Sequence, residues 1–329
     1  MGLKPRNNKN NSGKPNFRQS FLFLSASNTR AMKIAVIGES NIDIAVVPHS
    51  EPIAKSCTPG SIAFHHGGVA RNIAHNLCLL GHEVQLATVF GDDGFAQSMI
   101  EECEQLGIDL SLSAQYENAK SPIFLSFNDD IGNMLSAISD IKLNGCLDLD
   151  WIRDRIDAIN RSDLVVADTL LSVEALTFLI DHCLVPLYID TVSPNRALLL
   201  SDAMRNSWKK SVFALKCNLV EAQAMTGVRD AEEAAQQLIS KGIHEVYLTM
   251  GEEGVCFCSK KGFRHFPAIE TEAVNVTGSG DAFFAGVIHA RAMGIQGEAS
   301  VDYGLKAACH NVKSEAPVNP TLRLEIFAD

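Results

Sequence analysis

Segment 275–286, NVTGSGDAFFAG, combines two features that chemistry on an anion requires. Gly278, Ser279 and Gly280 let successive backbone N–H groups converge where an apolar helix starts near Asp281, and the helix dipole adds positive potential there. A developing phosphoryl charge suits such a turn, and an aspartate at its mouth can accept the proton of an attacking hydroxyl. Taken alone, the same residues also describe a glycine turn with Asp281 as helix N-cap. The segment has neither the G-x-x-x-x-G-K-[ST] of a Walker-type loop nor the G-x-G-x-x-G spacing of a dinucleotide fold.

Two further clusters carry polar groups on turns. Gly67 and Gly68 in HGGVARN open a helix bearing Arg71 and Asn72, and adjacent glycines let a small ligand approach the backbone. GESNID (38–43) puts Asn41 and Asp43 just past an apolar strand, where both side chains can grip hydroxyls. Each cluster singly is explained by turn chemistry. Their occurrence together in one parallel fold points to a shared site.

The elements that must position these residues follow from periodicity. Short apolar runs KIAVIG (33–38), VQLATV (84–89), LVVAD (164–168), LYID (187–190), VFALK (212–216) and EVYLT (245–249) alternate with helical segments. That alternation predicts an α/β fold, a doubly wound and mainly parallel sheet with helices on both faces. Val69, Ile73, Leu77 and Leu80 share one helix face, and Phe95, Met99, Cys103 and Leu106 share another that ends at Gly107. Residues 44–66 and 118–140 break the alternation and read as strand–turn–strand, the second with a polar turn from Asn128 to Asn133. They are expected to form a small antiparallel β lid above the carboxyl ends of the parallel strands. Its unpaired edges suggest a homodimer through the lid.

Composition bounds the remaining classes. The 329 residues are 46% hydrophobic and 20% charged, with a net charge of −11 and mean hydropathy +0.06, which excludes disordered, collagenous and coiled-coil chains. An acidic chain cannot neutralise many phosphates, so no nucleic-acid partner is expected. No apolar run approaches the roughly 18 residues of a membrane span. Nine cysteines without a C-x-x-C pair read as free thiols in a reducing, cytoplasmic location. In VCFC, period two places Cys256 and Cys258 on one strand face as buried small hydrophobes. Residues 1–31 are basic, Asn-rich and Ser-rich and read as a disordered extension, a transit-like peptide or an upstream start, leaving one domain over 32–329.

GGVARNIAHNLCLLG followed by GDDGFAQ, and NVTGSGDAFFAG near the end, resemble the two motifs of the ribokinase, or PfkB, family of carbohydrate and nucleoside kinases. The resemblance runs from Lys33 to Asp329. Within the family, GESNID, GGVARNIAHNL, the ISD of the lid and NVTGSGDA are most similar to the pseudouridine kinases. It implies a ribokinase-like fold and an ATP- and Mg²⁺-dependent phosphotransferase acting on a small nucleoside or sugar. Asp281 would be the general base, with the Gly278, Ser279 and Gly280 backbone as anion hole. Asn41, Asp43, Gly67, Gly68 and Asn72 match the family's sugar-hydroxyl contacts. Asn218 and Glu221 in KCNLVEA match its N-x-x-E spacing, which positions Mg²⁺ through water together with the phosphates. Thr249 and Gly251 in LTMGEEG match the nucleotide-side loop, and Asn319 falls near the adenine pocket.

The sequence departs from the family at two informative places. Asn275 stands where many members have an aspartate that helps bind a monovalent cation, which puts K⁺ activation in doubt. Val69 stands where ribokinases commonly carry lysine, so the sugar pocket differs from theirs. His65 and His66, adjacent in a strand, face opposite ways and read as rim or solvent contacts rather than metal ligands. Asp140 and Asp168 read equally as extra acceptor contacts or as surface and turn carboxylates. The reading that follows is phosphorylation of the 5′-hydroxyl of pseudouridine. One alternative keeps the chemistry and changes the acceptor to ribose, another nucleoside or another sugar; a second is a catalytically silent nucleoside- or sugar-binding protein.

Overall fold

The computed structural model describes residues 31–129 and 134–328; the basic extension and part of the polar turn in the second lid hairpin lie outside the described residues. The strands in chain order are β1 (Lys33–Ile37), β2 (Asn41–Pro48), β3 (Gly60–Gly67), β4 (Glu83–Ala87), β5 (Val89–Phe90), β6 (Ala114–Gln115) and β7 (Ile123–Asn128). There follow β8 (Met134–Asp140), β9 (Leu164–Asp168), β10 (Leu187–Asp190), β11 (Val212–Asn218), β12 (Ile243–Thr249), β13 (Val255–Ser259) and β14 (Gly262–Phe266). The helices are α1 (Val69–Leu79), α2 (Gly94–Gln105), α3 (Leu149–Arg153), α4 (Ile156–Ile159), α5 (Val173–His182), α6 (Pro194–Asn206), α7 (Leu219–Thr226), α8 (Ala231–Ser240), α9 (Ser279–Ala292) and α10 (Ser300–Asn311).

The main sheet runs β14-β13-β12-β11-β10-β9-β1-β4, parallel from β12 to β4 and antiparallel at β13 and β14. Strand period two feeds two cores. Along β1, Ile34 and Val36 belong to the core that includes α1 and α9, while Ala35 and Ile37 belong to the one that includes residues of α5, α6, α7 and α8. Cys256 and Cys258 lie together in the second of these cores, as the alternation in β13 requires, and all nine cysteines are free. Among the described residues no helix is long and apolar enough to cross a membrane.

The helical faces read from spacing are the ones that pack inward. Ile73, Leu77, Leu80, Met99 and Cys103 are buried and Val69 and Leu106 half-buried, whereas Phe95 is 36% exposed and stacks on Phe64 of the lid, centroids 6.2 Å apart. Helix α9 is buried on every side from Asp281 to Ala290. A fully buried Phe283 or Phe284 side chain contributes on the order of 2–3 kcal/mol, so the helix that carries Asp281 is held by its whole length. The run at 84–89 breaks at buried Thr88, where β5 leaves the sheet to pair with β6.

The lid is the four-stranded sheet β3-β2-β7-β8. Its two hairpins, β2 with β3 and β7 with β8, are antiparallel as expected, but they join through a parallel pairing of β2 with β7. From β1 the chain goes out to β4 on one side and returns to β9 on the other, so strand order reverses between β1 and β9. In open α/β sheets the crevice beyond such a reversal is where ligands bind.

Candidate active site

Every strand bordering that crevice ends in a polar residue. Glu39 follows β1, Asp168 closes β9, Asp190 closes β10, Asn218 closes β11 and Thr249 closes β12. The Glu39 backbone N–H donates to Asp168 Oδ2 at 2.7 Å, and Asn144 Nδ2 donates to Glu39 Oε1 at 2.7 Å. Burial pushes the Glu39 and Asp168 carboxyls up to about 7 each. Asp168 is therefore not a surface carboxylate, while its Oδ1 takes the Leu170 N–H at 2.9 Å as a turn carboxylate does. Asp140, by contrast, stands on the exposed β8 and pairs with Lys142 at 3.6 Å.

Gly278 caps α9 with φ 75°, a left-handed conformation that a side chain disfavours, and a Cβ there would strike the Pro317 carbonyl. The first-turn N–H groups of a helix lack intrahelical partners. Here Ser279 N–H reaches the Val276 carbonyl at 3.2 Å, which leaves Gly280 and Asp281 as the open donors of that turn. A Cβ on Gly280 would lie 2.8 Å from Lys216 Nζ, so the glycine is what admits the ammonium to the helix start. Burial alone would depress the Lys216 ammonium, but Asp190, Asp281 and Glu221 hold it above its ordinary value. Its Nζ lies 2.9 Å from Asp190 Oδ2. Sequence reading missed Lys216; the available signal was a lone lysine at the end of the otherwise apolar run 212–216.

Asp281 is 6% exposed and takes a hydrogen bond on Oδ2 from Asn72 Nδ2 at 2.9 Å. Burial raises its carboxyl to about 7, against the lowering effects of Lys216 and of the Asn72 hydrogen bond. Asn41 Nδ2 donates to Asp43 Oδ1 at 3.1 Å, while Asn41 Oδ1 is buried with no partner among the described residues. Burial lifts the Asp43 carboxyl to about 6. A Cβ on Gly67 would collide with the Asp43 carboxylate, and one on Gly68 with the Glu39 carbonyl. The structure thus gathers Asn41, Asp43, Gly67, Gly68, Asn72 and Asp281 into one polar cluster. His66 is spent elsewhere, its ring nitrogens 2.7 Å from Glu102 Oε2 and 3.0 Å from Ser98 Oγ.

Beside Gly280 opens a cavity of about 680 Å³, whose lining includes Gly251, the polar Lys216, Asn218 and Thr249 and the apolar Val276, Leu305 and Val312. Its size suits a small molecule with an apolar ring and a polar tail. Asn319 is not part of this wall: its side chain donates to the His310 carbonyl and accepts from Thr321, and its N–H donates to Asn311. It acts as scaffold for the loop beside Gly278.

Asn218 and Glu221 form a reciprocal cap on α7, with Asn218 Oδ1 taking the Glu221 N–H and Glu221 Oε2 taking the Asn218 N–H and the Thr191 hydroxyl. Glu221 is 3% exposed, which fits a divalent cation held through water better than direct ligation. The Asn218 Nδ2 left over is a donor and suits phosphate oxygens. A monovalent cation fits less well: Asn275 Nδ2 donates to the Glu315 carbonyl at 2.7 Å and Oδ1 accepts Thr277 N–H at 2.9 Å, so neither a carboxylate nor a free oxygen is offered there.

Comparison with known proteins agrees with this architecture. A pseudouridine kinase of Escherichia coli (strain K12) is 31% identical over 300 residues, 88% of this chain and 94% of its own length. A guanosine-inosine kinase of Exiguobacterium acetylicum is 27% identical over 86% of this chain and 95% of its own. The structure of Arabidopsis thaliana ribokinase complexed with ribose and ATP superposes with TM-score 0.76, covering 91% of this chain and all of that one at 18% identity, a likeness of fold. Residues 31–323 match the pfkB family of carbohydrate kinases, and the chain belongs to that family.

Proposed function

We propose that the protein transfers the γ-phosphoryl group of ATP to the 5′-hydroxyl of pseudouridine. Family members are phosphotransferases with hydroxyl acceptors, and the relative named for pseudouridine supports the acceptor. The observation that supports the reading is Asp281, a buried carboxyl at a helix start, hydrogen-bonded to Asn72 and within the electrostatic reach of both Asp43 and the cavity-lining Lys216.

In this reading Asn41 and Asp43 hold ribose hydroxyls, the unpartnered Asn41 Oδ1 accepting one of them. Asp281 takes the 5′-hydroxyl proton as that oxygen bonds to phosphorus and the bond to the departing ADP oxygen breaks. Gly280 and Asp281 N–H groups and the Lys216 ammonium face the charge that develops. Mg²⁺, held through water by Glu221 beside Asn218, would neutralise the phosphates. The lid excludes water and limits hydrolysis. ADP release with MgATP, measured in parallel on pseudouridine, uridine, guanosine, ribose and fructose, tests the acceptor. A kcat/KM for pseudouridine at least ~100-fold above the others is expected. Preference for another acceptor would keep the kinase and replace its substrate, and silence on all of them would favour a binding protein.

A further inference from the structure

We propose that Arg71 is a positioning residue for this reaction: it fixes the Asn72 carboxamide so that an N–H donor stays on the base Asp281, and Glu102 in turn holds Arg71. The inference rests on Asp281 being the base in the reading above.

A carboxamide has one accepting and one donating end, whereas a guanidinium only donates. Arg71 Nη1 lies 3.1 Å from Asn72 Oδ1, so the accepting end faces Arg71 and Nδ2 faces Asp281 Oδ2 at 2.9 Å. The flipped amide would set its oxygen against a carboxylate and its N–H groups against a cation. Arg71 is itself held, Nη1 also reaching the His66 carbonyl at 3.1 Å and Nη2 paired with Glu102, which His66 contacts as well. Arg71 and Asn72 are 3% and 4% exposed, so the arrangement is shielded from water. With Oδ2 engaged by Asn72, Asp281 Oδ1 is left for the acceptor hydroxyl. The chain Glu102–Arg71–Asn72–Asp281 also links α2 and the end of lid strand β3 to the reacting centre.

Arg71→Met removes the donor at similar length. We expect kcat to fall about 10- to 100-fold with acceptor KM within about threefold. The acid limb of the kcat profile should move up by ~0.5–1 pH unit, because a freed amide no longer favours the ionised base. Of the other charged groups acting on Asp281, Asp43 is also lowered by the Arg71 charge and shifts with this change, so the Asn72→Ala background separates that path from the relay. Arg71→Lys, which can still donate to Asn72, should recover most of the rate. In an Asn72→Ala background Arg71→Met should cost nothing further, since the path to Asp281 is already cut.

Losses that multiply across the two substitutions, or an unmoved acid limb beside a lowered melting temperature, would make Arg71 structural and overturn the proposal. Carbon-13 titration of the Asp281 carboxyl reads the same effect without turnover: an upward shift in Arg71→Met supports the relay and an unchanged titration defeats it. A wild-type chain silent on every acceptor would defeat the kinase reading, and the titration would still judge the relay. Should Arg71→Met not fold, Glu102→Gln carries the comparison, with a smaller upward shift expected there and an unshifted titration overturning the relay.

Discussion

At Asp281 burial opposes ionisation, while Lys216 and the Asn72 donor favour it, and the balance leaves the carboxyl near 7. As the base must be ionised to accept a proton, kcat/KM should rise about tenfold per pH unit below that value and level off above it. A profile flat from about pH 5.5 to 8.5 would remove Asp281 from the role. Asp281→Asn keeps the shape and loses the base, so kcat should fall by about 10²- to 10⁴-fold while calorimetric nucleoside affinity changes little. The glycine turn and this aspartate were legible because both sit in one short segment. Lys216 and Glu39 were not, and Arg71 was placed on its helix without a role, because what marks them is a partner 26 to 105 residues away: Asp190, Asn144 and, for Arg71, Glu102.

Among the elements, the parallel strands were legible as continuous apolar runs, and β9 and β10 match their runs residue for residue. The antiparallel edge β13–β14 and the β2–β7 pairing were not read, since pairing across distant segments leaves no periodic trace. The loop into α9 has its own consequence. Asn275 ties it to the Glu315 carbonyl with its side-chain amide. Activity should therefore change less than about twofold when K⁺ is replaced by Na⁺ or choline, and Asn275→Asp should introduce a dependence on K⁺. Steep K⁺ activation of the wild type would show that the amide does not replace the ion.

For the whole molecule, the cluster of buried carboxyls couples folding to pH. Asp168 ionises near 3.8 when exposed and near 7 when folded, so the folded chain keeps a proton that the unfolded chain releases. Its contribution to stability is complete below about pH 4 and is lost as pH rises through 7. Asp168→Asn should accordingly melt below wild type at pH 5 and close that gap by pH 8; a gap independent of pH would count against the shift. The buried histidines His75, His82 and His289, each depressed to about 4, act in the opposite sense but are common to both proteins and cancel in the difference. The lid exposes Ile62, Phe64, Phe127 and Ile138 on one face. An apolar sheet face of this kind fits a second copy of the chain. Light scattering should give a dimer that Ile62→Glu dissociates, and a monomer at micromolar concentration would end that reading. The strand reversal at β1 has one more consequence. Proposed acceptor contacts all fall before residue 73, and the donor cavity is drawn from residues 216 to 312. In the proposed reading the two specificities lie on separate stretches of chain that meet at Asp281, so substitutions before residue 73 should change acceptor preference and leave nucleotide affinity as it was.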